Sequence, residues 1–162
     1  MSDRSELIEL HNRLSKTLDE ERGVAKQKRY EKGYRTAREN LDDLVDKDSF
    51  VEYGQLAIAA QKSRRELEEL RTETAADGII TGFGKINSEI LDDKNTLSAI
   101  IINDYSVLAG TQGYYHHKKL DRICETAEKQ NLPVVMYTEG GGGRPGDTDV
   151  HVQFAGLQIP SF

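Results

Sequence analysis

Leu97 to Gly143 limits the possible folds more than any other part of the chain. It reads LSAIIIND, then the helix-like YYHHKKLDRICETAEKQ, then NLPVVMYTE, and then four glycines. A nearly unbroken apolar run suits a strand covered on both faces. In the helix, Leu120, Ile123 and Ala127 fall on one inward face. PVVMY reads as a further buried strand. Strand, helix, strand and a glycine loop at the strand's carboxyl end is the grammar of a right-handed crossover unit with a ligand at the sheet edge. Upstream, GIITGFGKI is β-branched and glycine-spaced and predicts a bent strand, with Gly82 and Gly84 as bulges.

The first 75 residues read differently. Leu7, Leu10, Leu14 and Leu18 make a thin apolar stripe over Ser5–Glu21. Ala37, Leu41, Leu44 and Val45 do the same in a helix from about Lys26 to Val45. Leu56, Ala60, Ser63, Leu67 and Leu70 mark a third over Gln55–Thr74. Such stripes predict helices that lie on a larger body and do not form a core.

A net charge of −6 speaks against a general nucleic-acid binder. No apolar run approaches the ~20 residues of a membrane span, and charged residues occupy the start, where a signal peptide needs an apolar stretch. The one cysteine, Cys124, suits a reducing cytoplasm and reads as a core thiol. No Cys/His spacing suggests a metal site.

TEGGGGRPGD, Thr138–Asp147, lacks the lysine and Ser/Thr of a phosphate-binding P-loop. Pro145 and Gly146 spoil the helix that a dinucleotide loop requires. Two readings remain: a plain turn, or backbone amides that stabilise an oxyanion, for which glycine permits close approach. His116 and His117 open a helix as sequence neighbours and so do not share a face. A solvated, capping or substrate-side role fits them better than metal binding. Lys118 and Lys119 sit unfavourably in the first turn of that helix, which hints at an anion nearby.

Four segments, in order, resemble the amino-terminal part of the carboxyltransferase of biotin-dependent acyl-CoA carboxylases, the acetyl-/propionyl-CoA carboxylase type. GYRTAREN…LVDKDSFVEYG (Gly33–Gly54) is similar to the family's G-x-x-T-A-R-E-R segment and following turn. ADGIITGFGKIN (Ala76–Asn87) is similar to its first bent strand. NDYSVLAGTQGYYHHKKLDRI (Asn103–Ile123) is similar to its D-[FY]-[TS]-V-x-G-G-[ST]-x-G segment and H-x-x-K helix. PVVMYTEGGGGRPGDTD resembles its strand and S-G-G-A-R loop.

The resemblance implies an α/β, crotonase-like fold of β-β-α units. It also implies a partial domain over 33–162, preceded by a helical extension over 1–32. It implies transfer of a carboxyl group from carboxybiotin to the α-carbon of an acyl-CoA, with no metal and no nucleophilic side chain. Matched on Arg144, the family's glycine pair falls on Gly141 and Gly142, whose amides would hold the enolate. Arg35, Arg38, Lys119 and Gly110 would face the CoA. Gly140 and Gly143 depart from the family's Ser and Ala, and Arg35 from its usual residue.

Biotin would arrive on a carrier protein or domain, loaded by a biotin carboxylase component, and the full-length protein would be a homo-oligomer. Family members are several times longer, so the resemblance implies a truncated piece without turnover of its own. Two other readings stand beside it. One is a free-standing crotonase-type hydrolase or isomerase, with Asp104, Glu139, His116 and His117 available as acid/base. The other is a non-catalytic CoA-binding or assembly module built on the charged helices.

Overall fold

A computed structural model describes residues 2–92 and 95–149. Its centre is a four-stranded mixed sheet in the order β1-β2-β3-β4. β1 (Val51–Tyr53), β2 (Ile79–Lys85) and β3 (Leu97–Asn103) run antiparallel, with Ile79 opposite Asn103 and Lys85 opposite Leu97. β4 (Val134–Tyr137) lies parallel to β3, with α5 (Tyr114–Gln130) between them in sequence. β2, β3 and α5 thus form one β-β-α unit, and β4 follows it.

The apolar run of β3 is covered on both faces, as its composition predicts. On one face Ile79, Ala99 and Ile101 pack against Leu120, Ile123 and Ala127 of α5, with Cys124 at the margin. On the other face Ile80, Ile100 and Ile102 pack against Ala37 and Leu41 of α3 (Ala37–Leu44). Strand alternation sends successive isoleucines to opposite helices.

Five expectations need correction. The helix expected over 26–45 is two helices, α2 (Gly23–Tyr30) and α3. Gly33 turns between them at φ 76°, and Thr36 then opens α3 with a reciprocal capping box to Glu39. The helix expected over 55–74 keeps only α4 (Leu67–Glu73). Its first half bonds elsewhere: the amides of Lys62 and Ser63 donate to the Asp149 carboxylate, and the Asp149 amide donates to the Ala60 carbonyl.

β1 was not anticipated; it is three residues within a stretch that reads as a turn. β4 is not buried, for Val134, Met136 and Tyr137 are all exposed and no strand among the described residues pairs with its outer edge. The expected bulges at Gly82 and Gly84 are instead regularly paired positions at which a side chain would collide. A Cβ at Gly82 would run into the Val51 carbonyl and the Phe50 ring, and one at Gly84 into Val45.

α1 (Ser2–Ser15) lies outermost, tied to α4 by Arg71–Glu9 at 3.6 Å, with Leu7 and Leu10 exposed. The expected boundary at residue 32 falls between α2 and α3, and side-chain bonds cross it, among them Thr36 to Asp19. Residues 150–162 of the expected domain lie outside the described residues. Gly82→Ala should push β1 off β2 and destabilise the chain by about 1–3 kcal/mol. A urea midpoint equal to that of the parent would contradict this packing.

Candidate functional site

The glycine loop follows β4 and meets two turns built from left-handed residues. One is Ala76–Asp77–Gly78, just before β2, at φ 52°, 51° and 74°. The other is Leu108–Ala109–Gly110, after β3, at φ 47°, 55° and 65°. Non-glycine residues adopt this region at a cost of about 1–2 kcal/mol each, so surrounding bonds must hold them there.

Arg144 provides much of that restraint. Its guanidinium reaches Asp77 and lies 2.9 Å from Asp147, and all three side chains are almost fully buried. The same carboxylates take the first-turn amides of α5: Tyr114 N–H donates to Asp147 at 2.8 Å and His116 N–H to Asp77 at 2.7 Å. Gly113, at the N-cap, has no side chain to offer, and a Cβ there would overlap Arg144. The positive end of α5 is therefore met by the protein's own pair of aspartates. Burial works against a charged Asp147, but Arg144, Gln61 and the Tyr114 amide outweigh it and hold the carboxyl below its ordinary range.

The histidines are buried, which corrects the expectation of a solvated role. His116 Nδ1 meets the Asp77 carbonyl at 3.2 Å, so Nδ1 carries the proton, and Nε2 accepts from the Asn103 amide at 3.3 Å. Burial pushes the imidazole down to about 4. Burial also lowers His117. Asp104 is paired with Arg22 at 2.6 Å, and Glu139 with Arg29. None of the four suggested acid/base residues is both free and beside the glycine loop.

The glycines divide by role. Gly110 and Gly140 approach backbone to backbone, where a Cβ on either would strike the other segment. The Gly141 amide donates to the Ala109 carbonyl at 3.1 Å, so it is not available as an open donor in this conformation. Gln112 N–H donates to the Gly142 carbonyl, and Arg144 N–H to the Gln112 carbonyl, both at 2.8 Å. Gly142, at φ 92°, and Gly143 are exposed, and their amides meet no acceptor among the described residues.

Beside this loop lies a cleft of about 640 Å³, with Ala109 in its wall. Arg22, Lys28, Arg29 and Lys32 line it against two carboxylates, Glu21 and Glu73. Lys28 and Lys32 have no ion-pair partner among the described residues. No local pattern marks these four cations, because only the fold brings α2 and its flanks to the glycine loop.

The cations that the family resemblance assigns to CoA lie apart. Arg38 forms a bidentate pair with Glu52, and Arg35 pairs with Asp43 at the surface. Lys119 donates to the carbonyls of Ala76 and Ile79, and burial pulls its ammonium down to about 8. Lys119 lines a second cleft of about 390 Å³ with Tyr53, Tyr115 and Arg122. No helix among the described residues is long and apolar enough to cross a membrane. No group of three His, Cys, Asp or Glu among them could hold a metal.

Comparison with known proteins follows the same geometry. The profile of the carboxyl transferase domain matches residues 28–157. The biotin-dependent acetyl-/propionyl-coenzyme A carboxylase beta5 subunit of Mycobacterium tuberculosis is 33% identical over 139 residues, covering 85% of this chain and 23% of the relative. The propionyl-CoA carboxylase beta chain of Roseobacter denitrificans is 29% identical over 70% of this chain and 20% of its own length.

Among solved structures, a single-chain, multi-domain long-chain acyl-CoA carboxylase superposes with a TM-score of 0.84 at 51% identity. The match covers 88% of this chain and 14% of that one. A transcarboxylase 12S hexamer, solved with methylmalonyl-CoA bound, gives 0.62 at 26% identity, covering 77% of this chain and 22% of its own. These neighbours are carboxyltransferases of crotonase-like fold, so the sheet described above is part of such a domain. The chain spans about a fifth to a quarter of the length of the curated relatives it matches.

The imidazole of His116 makes a pH prediction. Its folded value of about 4 lies below the ordinary 6.5, so the unfolded chain binds the extra proton between them. The contribution of His116 to stability is therefore complete above pH 6.5 and is lost as pH falls toward 4, on the order of 3 kcal/mol in all. Imidazole NMR should show His116 neutral at pH 5. A titration midpoint near 6.5 would refute this.

Proposed function

The chain belongs to the carboxyl transferase domain family, and from that premise we propose that it forms the acyl-CoA side of a biotin-dependent acyl-CoA carboxylase's carboxyltransferase. The observation that carries the proposal is the glycine loop beside a cation-lined cleft, with the exposed Gly142 and Gly143 amides unbonded among the described residues. That equipment suits a reaction in which backbone amides hold a developing oxyanion.

In this reading the thioester carbonyl sits at the Gly142 amide. Loss of the α-proton puts charge on that oxygen, and a fixed N–H stabilises it. Carboxybiotin supplies the carboxyl group, and its ureido nitrogen takes the proton. The Gly141 amide, bonded to Ala109, would orient the loop, or would turn to join Gly142 when substrate binds. Lys28 and Lys32 are better placed for CoA phosphates than Arg35, Arg38 or Lys119, whose charges already have partners. Gly110 contributes by admitting Gly140 at close range.

The biotin carrier, the biotin carboxylase component and a homo-oligomeric setting belong to the same proposal. So does a reducing, cytoplasmic setting, which a free Cys124 suits. The hydrolase or isomerase alternative is disfavoured because Asp104, Glu139 and His116 are engaged elsewhere and His117 is buried.

Two measurements test the proposal. Calorimetric titration of the 162-residue chain with CoA should show binding, weakened at least about tenfold by Lys28→Glu with Lys32→Glu at unchanged thermal midpoint, as loss of two phosphate contacts requires. No binding by the parent chain would overturn the acyl-CoA side. In a carboxylase carrying this segment, Gly142→Val should lower kcat by about 10²–10³, the usual effect of losing one oxyanion donor. Near-normal turnover would return the glycines to a plain turn.

A further inference from the structure

Arg29 has more partners than its place on a short outer helix explains. It is 8% exposed, unusual for an arginine on a surface helix. Nη1 and Nη2 donate to the two oxygens of Glu139 at 2.7 and 2.8 Å, a parallel fork that only a guanidinium can make. Nε donates to the Arg35 carbonyl at 3.0 Å. The guanidinium carbon also lies 5.1 Å from the Tyr34 ring centre and 5.7 Å from that of Tyr105. One side chain therefore joins α2, the segment leading to α3, the β3–α5 loop and the end of β4.

Glu139 immediately precedes the four glycines. A glycine run has the largest backbone freedom to lose on ordering, so its entry point needs fixing. Downstream, Arg144 fixes the exit. Between the two, the Gly141–Ala109 and Gln112–Gly142 bonds hold the loop to its neighbour. We propose that Arg29, acting through Glu139, is the positioning residue that sets the conformation of the glycine loop. The latch itself stands on the geometry alone; its consequence for catalysis rests on the function proposed above.

Amide exchange of the 162-residue chain, read residue by residue by NMR, tests the latch without any substrate. Arg29→Gln should speed exchange of the Gly141 amide by about tenfold or more while β3 amides keep their parent rates, as local opening requires. Glu139→Gln should do the same, and the double variant should add little to either single one, because the two act as one pair. Arg29→Lys should recover only part of the protection, since an ammonium cannot form the fork.

An unchanged Gly141 rate would overturn the proposal. So would equal acceleration in the loop and in β3, which would make Arg29 a contributor to global stability only. In a carboxylase carrying the segment, Arg29→Gln should lower kcat. If the latch is present by exchange and the parent carboxylase transfers no carboxyl group, it is the proposed function that fails and not the latch.

Discussion

Arg144 held between Asp77 and Asp147 organises everything around it. The two carboxylates neutralise the guanidinium on one side and receive the first amides of α5 on the other. One buried cluster thus closes the glycine loop, starts the long helix and keeps Asp77 in a left-handed turn. Such clusters tolerate no half-measures, because removing one partner leaves an uncompensated buried charge, typically 3–5 kcal/mol. It also explains a glycine whose reason lies far away in sequence: Gly113 must lack a side chain for Arg144 to pass.

Much of the central unit was legible because its signals are local. The isoleucines of β3 and the Leu120, Ile123 and Ala127 face of α5 follow from periodicity alone, and both packed as the pattern required. The elements that misled were those whose backbone finds partners far along the chain. Residues 60–63 have helical composition, but they bond to Asp149, and no local pattern reports an acceptor that distant. The break before α3 has a local signal, for Gly33 and the T-x-x-E box at Thr36 are stop and start signals that interrupt the apolar stripe.

The candidate site was legible in place and less so in detail. Position in the chain singled out the glycine run, but not which glycine is demanded by close approach, which by backbone angle and which amide is already bonded. Those distinctions arise from the second turn, Leu108–Gly110, whose carbonyl and backbone press on the loop. The cations beside the loop escaped notice because α2 carries no motif. Its basic residues matter only once Arg29, and Arg22 just before the helix, pair across more than 80 residues of sequence.

β4 is the least finished part of the sheet. It holds β3 on one side, and its other row of donors and acceptors is unfilled among the described residues, with Val134, Met136 and Tyr137 exposed around it. An open row of this kind has a polarity and a register ready for a further strand. The sheet can therefore grow from β4 outward. Whatever polypeptide extends it would be laid down next to the start of the glycine loop and would become the loop's other wall.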